Sequence, residues 1–484
     1  MRRPRQGDKT NGKKFLLLFS KRSLPCLPFL ARPLPRQAYL LLFPCVAILV
    51  VRLCLSFRFP VPWPDETGFL APAFKLATTG SLFDPGLNPD RIVLWMPPGY
   101  MVVLAAVFRL AGYSFAVARW VSSLCCLGSL AVVGVLACEV ATGWRRWLMF
   151  GAVAAAFLCP QMLADSNFAR MEMLFCLVIL LSMAAMRAGR PYVSASFLAF
   201  AGLVHFNAVY FVPAVALAFA CEVWRCRGLP RAGRWDWLAM GAAGLAVGLY
   251  GVLIAFNWQG FVTDIKFQFA FKAAVSGMDQ DHPAWVILLG LFASVPAFLG
   301  PARAWVPALF GLAFLVTVNQ GHELWYDYGL PLGFLLILLG VLSVPAGKMR
   351  WAGVWPAGVA ACVLAASVHI NPTLRPLLPG WSALNRPVFA PAELGKVHTF
   401  VAGLHPGDRV DFGWSGLEPF FFGDFAASGA QWLMIRHSVT QVFPFRPSGW
   451  RVRCDSSVLP HYLFIFDIDY PRVGADSGCA VIKK

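Results

Sequence analysis

The chain has 484 residues, is 58% hydrophobic and only 13% charged, and carries a formal net charge of +17. Soluble globular domains sit near 45–50% apolar and about 25% charged, so this composition excludes an ordinary water-soluble protein and points to repeated membrane crossing. The basic residues are not gathered on a polar domain, which excludes a nucleic-acid binder; many lie in the N-terminal tail (Arg2, Arg3, Arg5, Lys9, Lys13, Lys14, Lys21, Arg22) and the rest mostly in short connections, where anionic lipid headgroups are the partner.

In chain order, residues 1–37 read as a basic cytoplasmic tail, too long and with too short an apolar patch ("FLLLF", 15–19) for a cleaved signal peptide. The first apolar run covers 38–57. It is followed by "RFPVPWPDETGFLAPA" (58–73), which places Asp65 and Glu66 side by side just past an apolar helix. Residues 58–115 form a long mixed loop with amphipathic pieces at 67–79 and 99–111, suited to lying in the membrane interface. Further apolar runs follow at 116–141, 147–163, 172–186, 192–204, 208–223 and 237–257. A polar loop, 258–283, precedes the last runs at 284–300, 304–318, 328–344 and 351–370. The expected fold class is an α-helical polytopic membrane protein with about 11 transmembrane helices.

Charge sets the orientation. With the N-terminus inside, the short inner connections carry Arg145, Arg146, Arg187, Arg190, Arg225, Arg227, Arg231, Arg234, Arg303, Lys348 and Arg350. The short outer ones carry only Arg170, Lys266 and Lys272. This asymmetry favours N-in, C-out in the cytoplasmic membrane, with loop 58–115 and everything after 370 outside. The transmembrane module is thus 38–370. Residues 371–484 change character: a Pro-rich linker, a helical stretch at 391–403, then "DRVDFG", "QWLMIR", "HYLFIFDI" and "CAVI", short apolar runs bounded by turn residues. They predict a small extracytoplasmic α/β domain. Most of the 13 cysteines sit in apolar runs as packing residues; Cys454 and Cys479 lie in this polar region and, if exported, are able to form one disulfide.

On this topology the unusual polar residues pool on the outer side: Asp65 and Glu66; Asp165, Asn167, Arg170 and Glu172; His205 and Asn207; Lys266 and Lys272; His322, Glu323, Trp325, Tyr326 and Tyr328. Ionisable groups at membrane depth are costly and usually face a cavity or each other, so the pooling predicts one outward-facing polar cavity. Simpler readings stand beside each. "PDET" is also a good helix start, with Asp65 as cap and Glu66 in the first turn. Arg170 and Glu172 also suit a structural pair, Lys266 and Lys272 a solvated face, His205 a satisfied core histidine, His322 a surface residue, and the aromatic groups an interfacial belt.

The Asp-Glu pair after the first run, the segment "MPPGYMVVLAAVFRLAGYSFAVARWVSSL" (96–124), the acidic residue in "NFARMEMLF" and the aromatic, proline-containing "HELWYDYGLPLGFLLILLG" (322–340) together resemble the type C (GT-C) membrane glycosyltransferases. The branch resembled is that of the protein O-mannosyltransferases and aminoarabinose–lipid A transferases, over about residues 38–345. The resemblance implies a polyprenyl-phosphate-linked sugar donor and an acceptor hydroxyl or phosphate on a glycan, lipid or protein outside the membrane. It implies catalysis at Asp65, with Glu66 as neighbour that in some members binds a divalent metal ion or positions substrate. Glu172 stands where many members have Asp. "HFN" (205–207) replaces a Thr-Lys pair found in some relatives, which leaves phosphate binding to Arg170, Lys266 or Lys272, with His322 and Tyr326 as further substrate-binding candidates. A flippase of lipid-linked glycans, with functional charges on both sides, and a non-catalytic envelope scaffold are the rival readings.

Overall fold

The computed structural model describes residues 36–55, 64–88, 91–140, 143–275, 284–321, 326–345 and 353–368 and, in the C-terminal part, 395, 398–399, 401–406, 409–411, 418–433, 451–454 and 479–483. His322, the N-terminal tail, the Pro-rich linker and "HYLFIFDI" lie outside the described residues.

The helices are α1 (Arg36–Leu55), α2 (Pro64–Thr79), α3 (Gly99–Ala111), α4 (Phe115–Val140), α5 (Trp144–Leu158), α6 (Pro160–Asp165), α7 (Glu172–Arg187), α8 (Pro191–Val204), α9 (Val212–Cys226), α10 (Arg234–Phe256), α11 (Trp258–Val275), α12 (Trp285–Phe298), α13 (Ala302–Gly321), α14 (Gly329–Leu342), α15 (Val354–Val368) and α16 (Phe422–Ser428). A helix occupies most of each apolar run read from the sequence. Two boundaries differ for identifiable reasons. The run at 147–163 is split at Cys159, because Pro160 lacks an N–H and starts a new helix, α6, in which the Met162 N–H donates to Cys159 Sγ. Residues 258–275, expected as polar loop, form α11; the segment holds apolar and polar residues without a proline, and one glycine did not stop it.

α14 is buried along its whole length and forms the centre of the bundle. α13 crosses it where glycines let backbones touch: a Cβ on Gly311 would lie 2.5 Å from the Gly333 carbonyl oxygen. The opposite case is α10, in which Asp236 is the buried residue while Trp237, Leu245, Leu249 and Phe256 are exposed. An apolar helix with such a surface needs lipid around it rather than water. Among the described residues, α4, Phe206–Cys226, α10 and Ala302–Asn319 are long and apolar enough to cross a membrane by length and composition, and six shorter apolar helices accompany them.

Contacts between connections define two ends of the bundle. At one end Arg187 pairs with Glu139 at 3.6 Å and donates to Ser343 Oγ and the Arg303 carbonyl, Arg145 reaches the Val344 carbonyl, and Arg190 pairs with Asp236 at 3.5 Å. These are the arginine-rich connections. At the other end the start of α2 meets the 159–171 connection, and the end of α8 meets the start of α14.

In the C-terminal part the strands β1 (Arg409–Asp411), β2 (Gln431–Leu433), β3 (Arg451–Cys454) and β4 (Cys479–Lys483) pair in the order β2-β1-β4-β3. β1 and β2 are parallel and the other pairs antiparallel. β1, β2 and β4 fall in runs that the sequence marks as strands; β3 was not foreseen there.

Candidate active site

The site begins at the first turn of α2. Pro64 opens the helix, so Asp65 lies inside the first turn rather than capping it from outside. Its expected role as the residue before the helix is corrected accordingly: Pro at the first helical position costs nothing, because that N–H has no helical partner anyway. Successive helical residues point about 100° apart, so Asp65 and Glu66 face different surroundings.

Glu66 points into the bundle and is fully buried. Arg119, from the first turns of α4, grips it with both ends of its guanidinium: Nε to Oε1 at 2.9 Å and Nη2 to Oε2 at 2.7 Å. The backbone N–H of Ala169 donates to the same Oε1 at 2.6 Å. Arg119 is itself fully buried and stacks on Phe115 and Phe168, its guanidinium carbon 4.3 and 5.6 Å from the ring centres. A buried ion pair persists only with this kind of geometry and extra hydrogen bonding.

Asp65 is the exposed member: its side chain retains 22% of its accessible surface, against 2% for Glu172. Arg170 joins the two. Its Nη1 donates to Asp65 Oδ2 at 2.7 Å, and its Nε and Nη2 donate to Glu172 Oε1 at 3.1 and 2.9 Å. The ring of Phe69, one turn along α2, lies 5.8 Å beneath the Arg170 guanidinium. α4 fixes the 166–170 segment from the other side, because Ser123 donates to the Ser166 carbonyl at 2.7 Å and Ser122 to that of Arg170 at 3.1 Å.

Asp165 lies behind this cluster, buried, with Gln161 donating to Oδ2 at 3.3 Å and Oδ1 without a hydrogen-bond partner. Burial, then the negative charge of Glu172, holds its carboxyl well above the usual range. His205 and Tyr326 meet beside it through Nε2 and Oη at 3.0 Å. The Asn207 N–H donates to His205 Nδ1, so that nitrogen accepts, and the neutral ring carries its proton on Nε2 toward Tyr326.

The structure therefore brings Asp65, Glu66, Arg170 and Glu172 together, with Tyr326 in the neighbouring His205 pair. Lys266 is exposed on α11. Lys272 belongs to the same helix, in which the Asp264 carboxylate takes Arg91 in a two-point pair at 2.8 and 2.5 Å and the Leu94 N–H at 2.7 Å. Sequence reasoning placed Asp165 among the outer polar residues but gave it no role, and it missed Arg119. The available signal for Arg119 was a single arginine inside an apolar run, which must find a counter-charge.

Among the described residues no three His, Cys, Asp or Glu side chains are arranged to hold a metal ion. Both oxygens of Glu66 are taken by Arg119, and one also by a backbone N–H, so this donor set does not fit a divalent cation.

An apolar helical bundle with this charged cluster at one end is a polytopic membrane protein. No protein-family model and no curated protein matches the chain. Similar solved structures are those of ArnT from Cupriavidus metallidurans, bound to undecaprenyl phosphate at 14% identity and in the apo state at 15%. Each match covers 92% of this chain and 98% of the other, with a TM-score of 0.36.

Proposed function

We propose that the protein is a GT-C-type glycosyltransferase that moves a sugar from a polyprenyl-phosphate carrier to an acceptor hydroxyl at the outer face of the cytoplasmic membrane, with inversion. The observation that carries this reading is the accessible Asp65 carboxylate, held 2.7 Å from Arg170 beside a separate buried pair, Glu66–Arg119. One carboxylate is left open to solvent while its neighbour is locked away. That division suits a base beside a structural anchor.

The chemistry follows from charge. Arg170 spans Asp65 and Glu172. The phosphate of a lipid-linked sugar offers the guanidinium two non-bridging oxygens that accept its forked donors. Arg170 turning to that phosphate releases Asp65 toward the acceptor. The acceptor oxygen then forms its bond to the anomeric carbon, the bond from that carbon to the phosphate oxygen breaks, and the acceptor proton passes to Asp65. Polyprenyl phosphate departs with its charge held by Arg170. The carrier's tail stays in lipid, so only its head has to reach the cluster. The arginine-rich end of the bundle lies inside on this reading, with about 11 crossings and the C-terminal α/β unit outside.

The test is a comparison, by mass spectrometry, of envelope glycans, lipids and proteins from cells with the wild-type protein, with Asp65→Asn and with none. The expected result is one glycoform present only with the wild type. An Asp65→Asn strain that makes the same product at the wild-type level sinks the assignment.

A further inference from the structure

The connection between α9 and α10 carries cationic charge that the protein itself does not neutralise. At the same end of the bundle Arg145 and Arg187 turn to carbonyls, a hydroxyl and Glu139 of the chain, and Arg190 turns to Asp236. Residues 224–237 hold four further arginines. Arg225 is paired with Glu222 of α9, its Nε donating to Oε2 at 2.9 Å. Arg227, Arg231 and Arg234 are exposed, and among the described residues their side chains make no hydrogen bond or ion pair.

The turn presents these arginines in a fixed shape. α9 is closed by Arg227 at φ 52° and ψ 34°, the left-handed conformation that glycine adopts most easily, although Gly228 follows directly. A long side chain in that conformation is a strained choice of the kind that gathers at functional surfaces. Tyr192 of α8 donates to the Pro230 carbonyl at 3.0 Å, and the Gly233 N–H donates to Asp236 Oδ2 at 2.8 Å, so the descending and ascending limbs are both pinned.

Large apolar side chains alternate with the charges and point outward: Trp224 keeps 83% of its surface, Leu229 73% and Trp237 66%. α10 continues from the turn with Leu245, Leu249 and Phe256 equally exposed, a surface that needs lipid. The turn therefore stands where two helices leave the bilayer. Indole rings suit the headgroup level, and arginine stems lie along apolar surface while their guanidinium groups reach the phosphates. A nucleic acid or an acidic peptide would match the charge but leave Trp224, Leu229 and Trp237 in water.

We propose that residues 224–237 form a binding site for anionic phospholipid of the inner leaflet, with Arg227, Arg231 and Arg234 on the headgroup phosphates and Trp224 and Trp237 at the interface beside them. A zwitterionic headgroup cancels its phosphate with its own ammonium, so uncompensated guanidinium charge selects lipids of net negative charge. The site follows from the N-in orientation and is independent of the chemistry at Asp65, which lies at the other end of the bundle.

The full-length protein in detergent is titrated with phosphatidylglycerol and with phosphatidylcholine of the same acyl chains, and bound lipid is counted by native mass spectrometry, with inorganic phosphate as competitor. Phosphatidylglycerol is expected to bind the wild type more tightly than phosphatidylcholine and to resist displacement by phosphate. Combining Arg227→Gln, Arg231→Gln and Arg234→Gln is expected to weaken phosphatidylglycerol binding about a hundredfold, the loss for three arginines at an anionic surface, and to leave phosphatidylcholine binding unchanged. Combining Arg227→Lys, Arg231→Lys and Arg234→Lys keeps the charge and is expected to retain most of the preference. Equal binding of the two lipids by the wild type, phosphatidylglycerol binding that the glutamine variant leaves intact, an equal loss in the lysine variant, or displacement of the lipid by phosphate each overturns the proposal.

Discussion

Glu66 and Arg119 lie fully buried against each other, the guanidinium bridging both carboxylate oxygens at 2.9 and 2.7 Å, although 53 residues separate them in the chain. The pair joins α2 to α4, and the Ala169 N–H brings the 159–171 connection to the same carboxylate. Everything that positions Asp65 hangs on this junction. Removing one partner leaves an uncompensated charge in an apolar interior, at a cost of about 3–5 kcal/mol. Arg119→Met and Glu66→Gln are therefore each expected to lower the thermal midpoint of the detergent-purified protein sharply. The double variant is expected to fall well short of the sum, because no charge is left stranded. Additive losses in a double-mutant cycle would show that the two side chains do not act as a pair.

Asp65 answers to a different test. Partly exposed and paired through Oδ2 with Arg170 at 2.7 Å, it contributes little to folding, as partly exposed ion pairs generally do. Asp65→Asn is expected to leave the thermal midpoint within a degree or two, on the order of a surface change, while product formation drops about 10²-fold or more, the usual loss of a general base. The adjacent residue gives the reverse pattern. A Glu66→Gln protein with a normal thermal midpoint that makes no product, beside an Asp65→Asn protein with a lowered midpoint that still makes it, would exchange the two assignments.

The sequence carries the helices and half the cluster, and the reason is range. Apolar runs and prolines act over a few residues, so most helix limits are legible. Asp65 with Glu66, and Arg170 with Glu172, are visible because each pair is nearly adjacent and each is charged where charge is expensive. Arg119–Glu66 and Arg91–Asp264 are pairings across 53 and 173 residues, set by how helices pack, and no local pattern encodes a partner at that distance. Lys266 and Lys272 lie on a helix anchored through Asp264, and Lys266 is exposed.

Asp84 gives the contact between loop 81–88 and the C-terminal segment a pH dependence. Burial pushes its carboxyl from 3.8 up to about 6, against the opposing pull of Lys75 and of the Gly86 and Leu87 N–H groups. The folded state therefore binds more protons than the unfolded one between about pH 4 and 6, and stability falls as pH rises through that window. The full penalty, at most about 3 kcal/mol for a shift of this size, applies above pH 6. Asp84→Asn removes the ionisation and keeps the acceptor for the Gly86 N–H. The variant is expected to melt close to the wild type near pH 3.5 and above it at pH 7.5. A gap that stays constant across that range would place the pH response elsewhere.

The register of the C-terminal sheet sets Cys454 directly opposite Cys479 on the antiparallel strands β3 and β4. Residues facing each other in such a ladder have Cα atoms about 4.5–5.5 Å apart, inside the range a disulfide spans. Whether the bond forms depends on compartment, since cytosolic thiols are kept reduced and exported ones are oxidised. The pair is therefore a chemical reporter of topology. If the unit containing β1–β4 is exported, as the arginine distribution implies, tryptic mass spectrometry of protein alkylated before lysis is expected to find the 454–479 cross-link. The bond closes a loop of about 25 residues, and its reduction is expected to cost this unit about 3 kcal/mol. Both thiols recovered in alkylated form from unreduced cells would put the sheet inside, and with it the Asp65 cluster on the wrong face for an exported acceptor.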